Sequence, residues 1–116
     1  MKSLLILNDP AYGTERSYNG LRLAGSLAKR DDQEVRVFLM GDAVGCAVLG
    51  QKVPDGYYHL DRMIESAARH GAEVGCCSTC LDARGLTDEV LVKDVRRSTM
   101  EELTDWTAWA DKVVTF

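Results

Sequence analysis

The prediction of the fold starts from residues 73–85, which are EVGCCSTCLDARG. After Glu73, the next four residues are Val, Gly, Cys and Cys, and residues 73–77 are predicted to form a short strand. Ser78 is a residue type that caps helices, and Gly85 is one that ends them. The stretch therefore predicts a strand that passes directly into a short helix.

The same alternation continues on both sides of this stretch. The other predicted strands are short apolar runs at residues 2–8, 35–40 and 112–116. The other predicted helices have a capping residue or apolar residues at helical spacing, and they span residues 14–30, 43–49, 58–70 and 99–110. Residues 90–95 are ambiguous between a strand and a helical turn. Alternating strands and helices favour a parallel sheet with helices on both faces. The sequence predicts one three-layer α/β/α domain over residues 1–116.

Four residues are predicted to cap helices at their N-termini, and they are Thr14, Asp42, Ser78 and Thr99. The last of them begins the sequence Thr-Met-Glu-Glu, which has the pattern of a capping box.

Composition argues against several classes of function. The net charge is −4, and no run of five Lys or Arg residues occurs, so neither nucleic acid nor an acidic membrane surface is an expected partner. The N-terminal apolar run is too short for a signal peptide, and no apolar run could cross a membrane. We therefore expect a cytoplasmic protein whose four cysteines are reduced thiols, metal ligands or catalytic groups, not a disulfide framework.

Cys77 and Cys80 are the predicted working groups. They form a Cys-x-x-Cys pair where the third predicted strand ends, and loops at the carboxyl ends of parallel strands are where reactive groups collect. The unpaired backbone N–H groups at a helix start favour a thiolate over a thiol, and the thiolate is the nucleophile. Arg84 lies four residues after Cys80, on the same helical face, and is expected to add positive charge. Simple packing of small apolar cysteines is the alternative for this pair.

The other two cysteines are predicted to be core residues. Cys76 adjoins Cys77 on the strand, so their side chains point to opposite faces of the sheet. Cys46 lies in a short apolar predicted helix.

No metal and no cofactor are predicted. A structural zinc site needs four ligands, and only one Cys-x-x-Cys occurs, while His59 and His70 are too far apart to complete a recognisable pattern. The loop at residues 9–14 has a single glycine and no lysine, which argues against a phosphate-binding loop.

The sequence resembles a known family along nearly all of its length. The matching motifs are LLILN at 4–8, PAYG at 10–13, Ser17, LRLA at 21–24, VFLMGDAV at 37–44, GQK at 50–52, CSTCLDARG at 77–85 and residues 106–116. They are similar to those of the DsrE/DsrF/TusD-like sulfur-relay proteins, and most similar to the homomeric YchN-like branch. The resemblance implies a five-stranded parallel sheet and assembly into trimers or hexamers.

The resemblance also implies a function. Cys77 matches the cysteine that accepts sulfane sulfur as a persulfide and hands it to the next carrier, and Cys80 matches the second cysteine of the YchN-like branch. The main hypothesis is thus a sulfur carrier or sulfurtransferase that works with donor and acceptor proteins, with Arg84, Ser78 and Thr79 in supporting roles. One alternative is a dithiol redox or sensing protein that uses the same pair. The other is a non-enzymatic oligomeric binding module with structural cysteines.

Large aromatic residues give a separate reason to expect an oligomer. The outer helices of such a small domain are not expected to bury four large aromatic side chains, and the chain has Tyr57, Tyr58, Trp106 and Trp109. Aromatic residues are enriched in association surfaces. Trp106 and Trp109 are expected to pack in the core or between subunits and not to stack on bases, given the acidic charge.

Overall fold

Five parallel strands form a single sheet in the computed structural model, which describes residues 1–116. In chain order they are β1 (Lys2–Leu7), β2 (Glu34–Leu39), β3 (Glu73–Cys77), β4 (Val95–Ser98) and β5 (Lys112–Thr115). Their order across the sheet is β4-β3-β2-β1-β5, and every neighbouring pair is parallel. The predicted five-stranded parallel sheet is confirmed. The ambiguous interval before β4 is mostly irregular chain, and the strand begins only at its last residue.

Four α-helices connect the strands: α1 (Arg16–Ala28), α2 (Leu60–Arg69), α3 (Ser78–Ala83) and α4 (Met100–Trp109). The helix predicted at residues 43–49 is a 3-10 helix, Gly41–Ala47, and a second short 3-10 helix spans Asp88–Val90. No helix combines the length and the apolar character that crossing a membrane would require.

Three of the four predicted N-caps are wrong, namely Thr14, Asp42 and Ser78. The Thr14 hydroxyl donates to the Asp9 carboxylate at 2.8 Å, so it is engaged before α1 begins. Thr99 does cap α4, because its hydroxyl accepts from the backbone N–H of Glu102 at 3.1 Å. The reciprocal half of the capping box is missing, since the Glu102 carboxylate binds Ser98 and Arg96 instead.

The sheet separates two apolar clusters. The larger cluster lies between one face of the sheet and α1, α2, α3 and the first 3-10 helix. The smaller cluster lies under α4 and consists of Leu4, Phe38, Leu103 and Trp106. Because side chains alternate along a strand, β2 directs Phe38 to the smaller cluster and its neighbours Val37 and Leu39 to the larger one. The result is the predicted three-layer arrangement.

The four large aromatic residues expected to favour association differ in their exposure. Trp106 is only 4% exposed, so the core accommodates it and it is not free for association. Tyr57, at 66% exposed, is the member of the aromatic set that does lie open to solvent.

Candidate functional site

Cys77 is both the last residue of β3 and the N-cap of α3. Its Sγ accepts a hydrogen bond from the backbone N–H of Cys80 at 3.3 Å. An N-cap side chain normally accepts such a bond through an oxygen of Ser, Thr, Asp or Asn. Here a sulfur atom occupies the position, so the donor that satisfies the helix start also favours negative charge on that sulfur.

Cys80 is the third residue of α3, within its first turn, and a disulfide joins it to Cys77 with the two Cα atoms 5.2 Å apart. The Cys80 Sγ accepts a hydrogen bond from the backbone N–H of Gly41 at 3.3 Å. Gly41 has a φ of +57°, a left-handed conformation that glycine adopts without steric cost. Each sulfur of the pair therefore has its own backbone amide donor.

Ser78 and Thr79 lie between the two cysteines and have different partners. The Thr79 hydroxyl oxygen is 3.4 Å from the Cys77 Sγ, so it is the side-chain oxygen in contact with that sulfur. The Ser78 hydroxyl oxygen accepts a hydrogen bond from the Arg97 guanidinium at 3.1 Å, so its hydrogen-bond partner is Arg97 and not a sulfur of the disulfide.

Arg84 stabilises the position of α3 and contacts neither sulfur. Its guanidinium donates to the Asp42 carboxylate at 2.7 Å and to the backbone carbonyl of Cys80 at 3.0 Å. These bonds connect the end of α3 to the 3-10 helix that begins with Gly41. Arg84 thereby helps to keep the Gly41 amide beside the Cys80 sulfur, which differs from the direct charge effect expected from sequence.

Arg97 of β4 is a site residue that the sequence analysis missed. Its guanidinium donates to Ser78, to the carboxylates of Asp82 and Asp88, and to the backbone carbonyl of Leu86. Arg97 therefore holds both α3 and the chain that leaves it. The register of β3 with β4 would have revealed this role, because it pairs Cys76 with Arg97. That register could not be derived while residues 90–95 remained ambiguous.

Cys46 and Cys76 are buried free thiols, as predicted. Burial raises the pKa of each to about 12. Since only the thiolate is a nucleophile, both should be inert near neutral pH. The structure thus separates two cysteines at a helix start from two in the core.

We expect alkylation of the reduced, folded protein at pH 8 to modify Cys77 and Cys80 and to leave Cys46 and Cys76 unmodified. With a pKa of about 12, only about one buried thiol in ten thousand is ionised at that pH. Intact mass and peptide mapping over time measure the modification. Under denaturing conditions all four thiols should react, which is the control. Modification of Cys46 or Cys76 in the folded protein at the rate of Cys77 would contradict the assignment.

A cleft of about 170 Å³ opens beside Cys77. Phe38 and Met40 of the β2 end contribute to it, and Met100 at the start of α4 is on its other side. No cluster of three or more His, Cys, Asp or Glu side chains is arranged to hold a metal ion.

Comparison with known proteins identifies relatives over the whole chain. A sequence model of the DsrE/DsrF-like family matches residues 1–116. Protein YchN of Escherichia coli is 39% identical over 116 residues, which is 99% of this chain and 98% of that protein. An uncharacterized protein of Methanopyrus kandleri is 35% identical and covers 97% of this chain and 91% of its own length.

Solved structures agree with these matches. The crystal structure of the YchN protein from E. coli superposes with a TM-score of 0.91, and the alignment covers all of both chains at 39% identity. A protein of unknown function from Methanobacterium thermoautotrophicum has a TM-score of 0.75 at 13% identity over 99% of this chain and 97% of its own, which shows a shared fold.

Proposed function

The chain belongs to the DsrE/DsrF-like family, and from that premise we propose that it is a sulfur carrier. Cys77 holds sulfane sulfur as a persulfide and passes it to an acceptor thiol. The observation that supports this proposal most directly is the pair of amide donors, one on each sulfur of Cys77 and Cys80. Both donors favour the thiolate forms that sulfur transfer requires.

Loading is an exchange at a sulfur atom. The Cys77 thiolate attacks the outer sulfur of a donor persulfide, the sulfur–sulfur bond of the donor breaks, and the donor leaves as a thiolate. Cys77 then carries the outer sulfur as a persulfide, which releases the proton that came with that sulfur to water and becomes a persulfide anion, so charge and atoms balance. The Cys80 N–H stabilises the sulfur of Cys77 throughout, and the Thr79 hydroxyl is close enough to assist.

Delivery repeats the exchange in the opposite direction. An acceptor thiolate attacks the outer sulfur, becomes the new persulfide, and leaves Cys77 as a thiolate. When no acceptor is present, the Cys80 thiolate attacks the inner sulfur of the Cys77 persulfide. One proton is taken up, hydrosulfide is released, and the Cys77–Cys80 disulfide forms. A dithiol reductant must then donate two electrons to restore the two thiols.

The proposal includes assembly into a trimer or hexamer, which would give the exposed Tyr57 side chain a surface to pack against. Donor and acceptor proteins would supply and remove the sulfur.

The test compares two treatments of the reduced wild-type protein. A sulfane sulfur donor should add the mass of one sulfur atom, and peptide mapping should place it on Cys77. A disulfide oxidant should instead remove the mass of two hydrogens. Because the wild-type persulfide can collapse to the Cys77–Cys80 disulfide, the same donor is also applied to Cys80→Ser, which cannot form that disulfide. If Cys77 gains no sulfur in either protein, the carrier proposal fails.

The second candidate is a dithiol redox or sensing protein, and the disulfide itself favours it. Such a protein would cycle between the dithiol and the disulfide without ever holding an extra sulfur. The same two treatments distinguish the candidates, because only a carrier gains sulfur mass.

A further inference from the structure

The cleft beside Cys77 has no charged lining residue. Its apolar parts come from Phe38, Met40 and Met100, and Ser78, Thr79, Ser98 and Thr99 complete the lining. The sulfur of Cys77 is therefore reached through surroundings that offer methyl, aromatic and hydroxyl groups and no cation.

Nearby basic side chains are engaged elsewhere. Arg84 binds Asp42, and Arg97 binds Asp82 and Asp88. On the cleft side, Ser98 is 4% exposed and donates its hydroxyl hydrogen to Glu102 at 2.5 Å. The other carboxylate oxygen of Glu102 accepts from Arg96 at 2.9 Å.

One of the lining hydroxyl groups is already committed to a carboxylate. The Ser98 hydrogen is directed at Glu102 and is not available to a ligand. An anion entering the cleft would lose water and gain no ion pair in return, which is unfavourable.

The size of the cleft suits a single side chain. An apolar cavity of roughly 150 Å³ can hold one benzene molecule. At about 170 Å³, the Cys77 cleft is of the size that one aliphatic or aromatic side chain fills.

We infer that the sulfur partner of Cys77 is a cysteine in a peptide segment with an uncharged apolar residue next to it, and that the cleft binds this apolar side chain. The inference rests on the proposed carrier function and names its substrate class. Small anionic sulfur compounds, which have no such group, are poor partners. The transfer step is the exchange given above: the peptide thiolate attacks the outer sulfur, and Cys77 leaves as a thiolate.

The test uses three synthetic thiol peptides that differ only in the residue after cysteine, which is leucine, aspartate or lysine. The full chain carrying Cys80→Ser, which cannot form the internal disulfide, is loaded with persulfide at Cys77, and mass spectrometry follows the transfer of sulfur to each peptide. Each rate is divided by the rate of the same peptide with a free aromatic disulfide, because neighbouring charges alter thiol reactivity. After this correction, the leucine peptide should accept sulfur at least about tenfold faster than either charged peptide.

A variant at the rim tests the role of the cleft. Met100 is 64% exposed, so Met100→Lys changes the charge of the cleft without burying a cation. The variant should accelerate transfer to the aspartate peptide and should not accelerate transfer to the lysine peptide. Met100→Leu, the matched control, should keep the wild-type order.

The outcomes separate this inference from the carrier proposal. If Cys77 gains no sulfur from any donor, the carrier proposal itself fails. If Cys77 loads normally but all three peptides accept sulfur at equal corrected rates, the carrier proposal stands and the cleft inference is overturned. An unchanged corrected rate for the aspartate peptide in Met100→Lys would also overturn it.

Discussion

Cys77→Ser is expected to abolish the gain of one sulfur atom from a sulfane donor, whereas Cys80→Ser still gains it. A serine hydroxyl cannot form a persulfide, and the remaining cysteines differ in their surroundings. Cys46 and Cys76 are buried with a pKa of about 12. The Cys80 Sγ accepts a hydrogen bond from the backbone N–H of Gly41, at the start of the first 3-10 helix. Cys80 does not line the cleft beside Cys77.

The Cys80→Ser variant also tests the release step. Without the Cys80 thiolate, the persulfide cannot collapse to the internal disulfide, so it should persist longer and liberate less hydrosulfide. Intact mass and a hydrosulfide assay measure the two quantities, and the free-thiol count of each variant serves as the control. A Cys77→Ser protein that still loads would move the carrier role to Cys80.

The alternation of apolar runs and amphipathic segments was sufficient to predict most of the fold. It located β3 at Glu73–Cys77 and indicated a parallel sheet. It did not locate β4, because the strand is only four residues long and two of them are arginines. Short strands with few apolar residues resemble loops, and only their pairing with a neighbour identifies them.

The candidate site was only partly predictable for a related reason. The Cys-x-x-Cys pair at a strand-to-helix junction is a local pattern, so sequence reveals it. The Gly41 amide beside Cys80 and the Arg97 guanidinium beside Ser78 are contacts between distant parts of the chain. The spacing of Arg84 from Cys80 correctly predicted that the two residues are neighbours on one helical face. It could not predict that the Arg84 guanidinium binds Asp42, because Asp42 is distant in sequence.

Trp106→Ala is expected to lower the free energy of unfolding by about 3–5 kcal/mol, which is typical of removing a buried large aromatic side chain. Trp106 packs edge-on against Phe38, with ring centroids 6.1 Å apart. It also lies over Gly75: a Cβ atom at that glycine would come within 3.2 Å of the Trp106 ring. The guanidinium groups of Arg36 and Arg96 lie 5.3 and 5.4 Å from its ring centre. Since small domains have a total stability of about 5–15 kcal/mol, the loss is a large fraction of it.

Trp109→Ala on the same helix is the matched control for this prediction. Trp109 is only half-buried. The Arg36 guanidinium lies 4.0 Å from the centre of its ring, and the Lys2 ammonium lies 5.8 Å from it. Exposed contacts of this kind contribute about 0.5–1 kcal/mol each, so the control should lose far less stability than Trp106→Ala. Urea denaturation followed by far-ultraviolet circular dichroism measures both variants. If both variants lost the same unfolding free energy, Trp106 would not be the residue that holds α4 to the sheet. Other contacts would then position the start of α4, where Met100 lines the cleft.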